Sequence, residues 1–297
     1  VPFLTSGLST NTPLDYLTPK VIKRLSAFSH ISLNKSGFNL YLSSRLYASL
    51  IRPVMEYGLA ISTWNNSQLK KLERIQGSCL RILVGAYKSG STSVLRHISH
   101  LPPIAIRVET LTAKYYLRYN TLPPNSLLHL LVSVLHTTRY TSDLSKSPLF
   151  CSLPPDPLAK DTARVAHYTS LIPKQVLLKA CRPPLGVDPI LYLPSTRLEK
   201  RRILRWRLNW LPGTPHPCPC GTDETKRRHF PFCPEIPQTL WQSMPPHPEG
   251  VNPLDHALSS LPKSSKHPCA YWQPMLAILL LIERLYWPNL DFPDEDS

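Results

Sequence analysis

Five pairs of adjacent prolines divide this sequence into short segments. The pairs stand at residues 102–103, 123–124, 154–155, 183–184 and 245–246. Because proline lacks a backbone N–H and restricts the residue before it, helices and strands rarely run across such points. The chain has 33 prolines among 297 residues, about twice the usual share of roughly 5%. The sequence therefore predicts short packed elements that are joined at prolines.

Apolar residues recur at helical spacing through much of the chain. Helices are predicted from about Thr18, over 40–55, 67–83 and 127–135, after Pro103, after Thr196, over 252–261 and from Pro274. Pro53 should bend or end the second of these. The clearest is 67–83, with an apolar stripe made of Leu69, Leu72, Ile75, Cys79 and Ile82. We expect a mainly α fold.

The charged residues are strongly unbalanced. Thirty-four lysines and arginines face 19 aspartates and glutamates, which gives a formal net charge of +15. This surplus favours a polyanionic partner, most often nucleic acid and less often an anionic membrane face, while a solvated basic surface is the alternative. No apolar run approaches the roughly 18 residues that span a bilayer, the longest being Met275–Ile282. We expect RNA, DNA or both as partners, without a membrane or a small-molecule substrate.

The cysteines and the first residues bear on the compartment. The seven cysteines are an odd number, and the opening VPFLTSGLSTNT lacks the basic region and apolar core of a secretion signal. The sequence also starts without methionine, as expected of a piece of a longer protein. We expect a reducing intracellular compartment, nuclear or cytoplasmic, and no secretion.

Cys218, Cys220, His229 and Cys233 have a spacing that can close around one metal ion. Zinc in structural sites takes four nitrogen or sulfur ligands and stabilises small segments that lack a large core. His216, two residues before Cys218, is an alternative ligand, and three unrelated thiols with a surface histidine are the other interpretation. Four protein ligands leave no open position, so we expect a structural zinc site.

Basic residues surround this ligand set on both sides. Thr196 and Glu199 have the spacing of a capping box, which predicts the start of a helix. Arginines then recur every four residues on that helix, where like charges repel unless an anion compensates them. Trp206 can stack on a base, although packing is the other role open to it. The predicted nucleic-acid contacts are Arg197, Arg201, Arg205, Trp206, Arg207, Lys226, Arg227 and Arg228.

Signatures of catalysis are missing from the sequence. The aspartates are scattered, whereas two-metal phosphoryl or nucleotidyl transfer needs closely set carboxylates. There is no phosphate-binding glycine loop, no dinucleotide-binding glycine turn and no Gly-x-Ser-x-Gly motif. We assign no catalytic residue, no cofactor apart from zinc, and no enzymatic activity to this chain.

The order of several motifs resembles one protein family. These motifs are Ile51–Gly58 (IRPVMEYG), Leu72–Gln76 (LERIQ), Gly85–Tyr87, Leu101–Pro103, and Arg205–Gly213 (RWRLNWLPG) followed by Cys-x-Cys, His229 and Cys233. Together they are similar to the region downstream of the catalytic palm in reverse transcriptases of non-LTR (LINE-type) retrotransposons. The opening Val1-Pro2-Phe3 resembles the end of the strand that closes the palm.

The resemblance implies a helical thumb, a connector and a nucleic-acid-binding zinc module. In that family the polymerase aspartates lie upstream of where this chain begins, and the endonuclease residues are also missing here, so the upstream catalytic domain is an expected partner. We expect five parts. They are 1–90, a thumb-like helical domain with a palm-strand remnant; 91–136, a helical extension; 137–194, a Pro/Ser-rich connector; 195–240, a basic helix and zinc module; and 241–297, C-terminal helices and an acidic tail.

The sequence thus predicts a nucleic-acid-binding accessory region of a retrotransposon reverse transcriptase. Two alternatives remain open at this point. One is a helical protein-interaction module whose basic charge serves solubility, and the other is a decayed element copy without a selected function. A steep dependence of nucleic-acid affinity on salt separates the first prediction from the protein-interaction module.

Overall fold

The computed structural model describes residues 11–32, 40–60, 64–86, 88–127, 129–130, 159–183, 185–262 and 269–287. Over these residues the chain is mainly helical, which confirms the predicted fold class. Extended pairing within the described part is limited to a single antiparallel bridge between Pro217 and Glu224. The chain forms two compact units. The first is built from described residues within 1–38, 42–83 and 102–169, and the second from those within 39–41, 84–101 and 170–297.

The α-helices that lie within the described ranges have between 4 and 22 residues, and the longest of them continues across Pro19. They are α1 (Asn11–Ser32), α2 (Leu40–Leu46), α3 (Arg52–Glu56), α4 (Asn66–Val84), α5 (Thr92–Ile98), α6 (Ile104–Asn120), α7 (Ala159–Leu171), α8 (Val176–Lys179), α9 (Arg197–Arg207), α10 (Gln238–Gln242), α11 (Pro253–Ser259) and α12 (Trp272–Tyr286). Short 3-10 turns occupy Ile172–Lys174, Pro189–Leu191 and Phe230–Phe232. None of the described helices is long and apolar enough to cross a membrane.

The predicted bend at Pro53 takes the form of a π-helical turn. Residues Tyr47–Ile51 adopt this turn between α2 and α3, and the backbone N–H of Arg52 donates to Tyr47 O, five residues back. Proline has no N–H for the regular helical bond, so the backbone re-pairs just before it. The bend is therefore a direct consequence of the sequence.

Glu56 connects α3 with α6 inside the first unit. Its Oε1 accepts from Arg52 Nε at 2.5 Å and from Arg107 Nε at 2.6 Å, and its Oε2 accepts from Arg107 Nη2 at 2.7 Å. Burial alone would raise the pKa of Glu56, but the hydrogen bonds from Arg107 and Arg52 outweigh it, so the pKa lies below its usual value. The carboxylate stays charged and holds both arginines in place.

Helix α4 matches its predicted span, but its buried face is rotated from the predicted stripe. Asn65 and Gln68 cap its start reciprocally, with Gln68 N–H donating to Asn65 Oδ1 at 2.9 Å and Asn65 N–H to Gln68 Oε1 at 3.0 Å. The buried side chains include Leu72 and Cys79 together with Gln76, whose Nε2 donates to Pro102 O at 3.0 Å. Gln68 and Gln76 can be buried because their side chains form hydrogen bonds with backbone groups. The apolar pattern of the sequence places both glutamines outside the buried stripe.

The predicted connector 137–194 is wrong for its described part. Residues 159–171 form α7, and residues from 170 onward belong to the second unit. The core there includes Cys181, Ile190 and Leu193, while Asp188 N–H donates to Ile98 O at 3.0 Å. Short helices and 3-10 turns carry no clear hydrophobic period, so a segment rich in proline and serine is taken for a linker.

The core of the second unit lies around α9 and α12. Trp206, Trp272, Ile203 and Met275 are fully buried in it. Helix α12 begins two residues before the predicted Pro274 and is buried over a wide arc, as its apolar sequence predicts. Helix α11 forms within the predicted 252–261, with the Asn252 side chain accepting from its first backbone N–H groups.

Glu283 joins the two central helices of the second unit. Glu283 lies on α12 and accepts from Arg202 Nε and Arg205 Nη1 of α9, each at 2.5 Å. The side chains of Arg202 and Glu283 are only 3% and 5% exposed. This ion pair positions α9, the helix that leads into the candidate site.

Some predicted features lie outside the described residues. They are the strand remnant at 1–4, residues 131–135 of a predicted helix, the first part of the connector, and the acidic tail.

Candidate metal centre and basic surface

Cys218, Cys220, His229 and Cys233 come together as one cluster. Their ligand atoms all lie within 4.8 Å of one another. Cys218 Sγ and Cys233 Sγ are 3.9 Å apart, and Cys220 Sγ and His229 Nε2 are 3.2 Å apart. Zinc–sulfur bonds of about 2.3 Å in a tetrahedron place two sulfurs about 3.8 Å apart. The cluster could therefore hold a metal ion.

A tight turn presents the first two ligands. The bridge between Pro217 and Glu224 closes the turn at its base, and Cys218 N–H donates to Asp223 O at 2.9 Å. Gly221 N–H donates to Cys218 O at 2.9 Å, and Gly221 has a φ of +73°. Glycine adopts this left-handed conformation at little cost. The Cys-Pro-Cys-Gly sequence therefore turns both thiols toward one point.

A 3-10 turn presents the other two ligands. His229 precedes the turn Phe230–Phe232 and Cys233 follows it, with Phe232 N–H donating to His229 O at 2.9 Å and Cys233 N–H to Phe230 O at 3.2 Å. Phe230 is fully buried and anchors the turn in the core. The spacing of four residues thus becomes one turn with a ligand at each end.

His216 lies outside the cluster, so the structure favours His229 as the fourth ligand. Both ring nitrogens of His216 face backbone carbonyls at 3.0 Å, Nδ1 that of Pro217 and Nε2 that of Tyr286. Its backbone N–H donates to the hydroxyl of the buried Thr225 at 3.2 Å. His216 therefore attaches the start of the ligand turn to the end of α12.

The three thiols of the cluster differ in acidity. Burial raises the pKa of Cys233 to about 12 and also raises that of Cys218. The Thr222 hydroxyl, 3.1 Å from Cys220 Sγ, lowers the pKa of Cys220 to about 6. A metal binds thiolates, so it must displace protons from the two buried thiols. Cys220 is the thiol that is ionised at neutral pH without help from a metal.

The donor set is typical of one class of metal ion. Three sulfurs and one imidazole nitrogen suit zinc, and hard ions such as magnesium and calcium prefer oxygen ligands. The cluster contains four protein donors and no carboxylate. Four protein ligands form a closed site, whereas catalytic zinc sites keep one position for water or substrate. The geometry is compatible with a structural zinc ion.

Part of the predicted nucleic-acid set lies on the surface. Arg197 and Arg201 are exposed on α9, and Arg228 is exposed directly before His229. Lys226 is half-buried and forms an ion pair with Glu224. These four side chains are in positions from which an anion can be reached.

The other predicted contacts need correction. Trp206 is 0% exposed and Arg207 is 2% exposed, and Arg207 Nη1 donates to Ala180 O. Arg205 is bound to Glu283 as described above, so a phosphate would have to compete with a carboxylate for it. The spacing of four residues shows which residues share a helix face, but the tertiary packing decides whether that face meets solvent. The stacking role for Trp206 and the phosphate contact by Arg207 are therefore wrong.

Arg227 has a structural role that the sequence does not reveal. Its guanidinium lies 4.2 Å from the centre of the Trp206 ring and 3.3 Å from Asp255 Oδ2. Trp206 Nε1 donates to Asp255 Oδ1 at 2.8 Å, and Asn252 Nδ2 donates to Arg227 O at 3.0 Å. These contacts fix the loop between the ligand pairs onto α9 and α11. Arg227 is thus also withdrawn from the predicted phosphate contacts.

No protein-family model matches the chain, and no curated protein or solved structure matches it either. The resemblance to non-LTR reverse transcriptases stays a prediction that depends on the order of its motifs. The residues of the candidate site are therefore the basis for proposing a function.

Proposed function

We propose that this chain binds RNA or DNA through a zinc-stabilised basic module, as an accessory region of a retrotransposon reverse transcriptase. One observation carries the proposal. The four-ligand cluster encloses the loop of Lys226, Arg227 and Arg228, and Arg228 is exposed beside the ligand His229. A metal that holds the ligands also holds this basic loop in one conformation. The assignment implies an intracellular protein whose polymerase chemistry resides in an upstream domain.

Zinc is the proposed ion because the ligands are three thiols and an imidazole. Zinc would link the turn at Cys218 and Cys220 to the turn at His229 and Cys233, because each turn contributes two ligands to the same cluster. Its role here is to stabilise the fold of the module, since all four positions are taken by protein. The chain's own residues then supply every contact with nucleic acid.

Charge supports nucleic acid as the partner. The net charge is +15, and the exposed arginines of the module are Arg197, Arg201 and Arg228. Arg197 and Arg201 are four residues apart on α9, which separates them by about 6 Å along the helix axis. Phosphate groups would compensate the repulsion between them. Glu283 already compensates the arginines on the inner side of the same helix.

A salt titration tests the binding proposal. The affinity of the zinc-loaded chain for a fluorescent single-stranded RNA or DNA is measured by anisotropy from low to physiological salt. We expect log K to fall linearly with log salt, with a slope of about −0.7 for each phosphate contact. The triple variant Arg197→Ala, Arg201→Ala, Arg228→Ala should make the slope shallower by about 2, because three contacts are lost.

A matched variant separates a local site from general charge. Lys88, Lys174 and Lys179 are exposed in the same unit and outside the metal module. Their replacement by alanine removes the same charge and should leave the slope nearly unchanged. Equal losses in both triple variants would show that overall charge, and not this module, binds the strand. Affinity that does not respond to salt would sink the proposal and favour the helical protein-interaction module.

Metal content tests the zinc assignment. The purified chain should contain one zinc, and Cys220→Ser and His229→Ala should each lose it or weaken its retention against a chelator. His216→Ala and Cys181→Ser are the controls, since Cys181 is a buried free thiol outside the cluster. Unchanged zinc in both ligand variants would show that the four-residue assignment is wrong.

A further inference from the structure

Phe232 is an aromatic side chain held in solvent at the metal centre. It is 81% exposed, while Phe230, two residues earlier, is 0% exposed. Burying a phenylalanine side chain is favourable, and Phe230 realises this gain whereas Phe232 does not. Packing in the core of this unit does not account for the position of Phe232.

Phe232 lies between two of the candidate metal ligands, His229 and Cys233. Phe232 ends the 3-10 turn whose N-cap is His229 and whose C-cap is Cys233. Pro231 and Pro234 restrict the backbone on both sides of the ring. A metal bound by His229 and Cys233 would hold both ends of the turn. The ring is then pre-organised, and little conformational entropy is lost when a ligand contacts it.

The surroundings of Phe232 distinguish it from a protein-docking surface. Between residues 195 and 250, all of which the structure describes, Phe232 is the single exposed large hydrophobic side chain. Pro234, Glu235 and Gln238, which follow it, are exposed and do not extend an apolar patch. Protein interfaces usually need a contiguous apolar area. One isolated ring that follows an exposed arginine by four residues fits a flat aromatic ligand that carries negative charge.

Nucleic-acid strands have this combination of groups. The basic loop ends at the exposed Arg228, four residues before Phe232, so a charge that can pair with phosphate and a ring that can stack on a base follow each other in the chain. We propose that Phe232 stacks on an unpaired base of a single strand whose phosphates contact this loop. The inference rests on the proposed nucleic-acid binding and narrows it to single-stranded RNA or DNA. In a duplex the bases stack on one another and leave no free face for the ring.

The test compares strand forms with variants of one residue. The zinc-loaded chain and its Phe232 variants are titrated by anisotropy with a short labelled single strand and with the duplex of the same sequence. Phe232→Ala should weaken single-strand binding roughly 5- to 150-fold, the range expected for one stacked base. Duplex binding should be unchanged. Phe232→Trp should retain single-strand affinity, and Phe232→Leu should lose it as alanine does.

Two further readouts separate stacking from a structural role. Zinc content should stay the same in all Phe232 variants, since the side chain is exposed and is not a ligand. The salt slope should also stay the same, because no charge is removed, whereas Arg228→Ala should make it shallower by about 0.7. Val176→Ala is the matched control, a similarly exposed apolar side chain at 83% in the same unit, and should leave both affinities unchanged.

The possible results separate base stacking by Phe232 from nucleic-acid binding in general. If the parent chain binds single strands and Phe232→Ala binds them equally well, the stacking inference is wrong and the binding proposal stands. Full affinity in Phe232→Leu would show an apolar contact instead of stacking, and equal losses for strand and duplex would exclude selectivity for unpaired bases. If the parent chain binds neither form, both proposals fail.

Discussion

Replacing Glu283 by alanine should destabilise the second unit by about 3–5 kcal/mol, the cost of leaving a buried charge without its partner. Arg202 is 3% exposed and Glu283 is 5% exposed, so neither group regains water when the other is removed. Arg205 is 17% exposed and can turn to solvent, so its share of the loss should be about 0–1 kcal/mol. Against a typical total of about 5–15 kcal/mol, the effect is a large fraction of the stability.

A double replacement tests the reasoning behind this value. In Arg202→Leu with Glu283→Leu, two apolar side chains replace the buried pair, and such exchanges are often neutral or stabilising. We expect the double variant to lie within about 1 kcal/mol of the parent chain, while each single variant is strongly destabilised. The matched single variants are Arg202→Leu and Glu283→Leu, which place the same leucine at the same position as the double variant does. A loss in these single variants that the double variant does not show isolates the unpaired charge as the cause.

Urea unfolding followed by tryptophan fluorescence measures these effects. Five of the six tryptophans lie in the second unit, and Trp206 and Trp272 are fully buried between its helices, so their emission reports on this unit. Unfolding free energies come from linear extrapolation to water on zinc-loaded samples. A loss below about 1 kcal/mol in Glu283→Ala, or a double variant as unstable as the single ones, would refute the argument.

Three further predictions concern the turn, the thiols and the first unit. Gly221→Ala should destabilise the metal module by about 1 kcal/mol and speed zinc loss to a chelator, because alanine is strained at a φ of +73°. Gly186→Ala is the control and should have no such effect, since Gly186 has an ordinary φ and open space around it. Zinc binding at neutral pH should release about two protons, because the pKa values of the Cys218 and Cys233 thiols are raised. Calorimetry in buffers of different ionisation enthalpy measures this proton release. Zinc occupancy should fall as the pH falls. The pKa of Glu56 is lower in the folded chain than its unfolded value near 4.5. The stability that this carboxylate contributes is therefore fully present above pH 4.5 and is lost as the pH falls through the folded pKa. Glu56→Gln should accordingly make hydrogen exchange in α3 and α6 less sensitive to acid.

The features that the sequence predicts well are those that depend on neighbours along the chain. The capping box of Thr196 and Glu199 forms as predicted, because both partners lie within one helical turn. The bend at Pro53 follows from one missing N–H. The four ligands lie within 16 residues, and two tight turns bring them together. Local spacing therefore carried the candidate metal site.

The predictions that failed depended on contacts between distant segments. The connector prediction differs from the structure because the buried residues Cys181, Ile190 and Leu193 lie on or beside short elements, which have no clear hydrophobic period. The sequence around Phe232 does not distinguish this exposed residue from the buried Phe230. Exposure is a property of the assembled unit, and no spacing rule determines it.

The sequence by itself determined that this protein is helical, basic and equipped with one plausible metal-ligand set. The tertiary structure decided which positive charges remain in solvent. Arg207 is buried, Arg205 is neutralised by Glu283 and Arg227 by Asp255, while Arg197, Arg201 and Arg228 stay exposed. The physical reason is that each carboxylate pairs with the guanidinium that the fold brings next to it, from about 30 to 80 residues away in the chain. Spacing along the chain does not reveal such pairs.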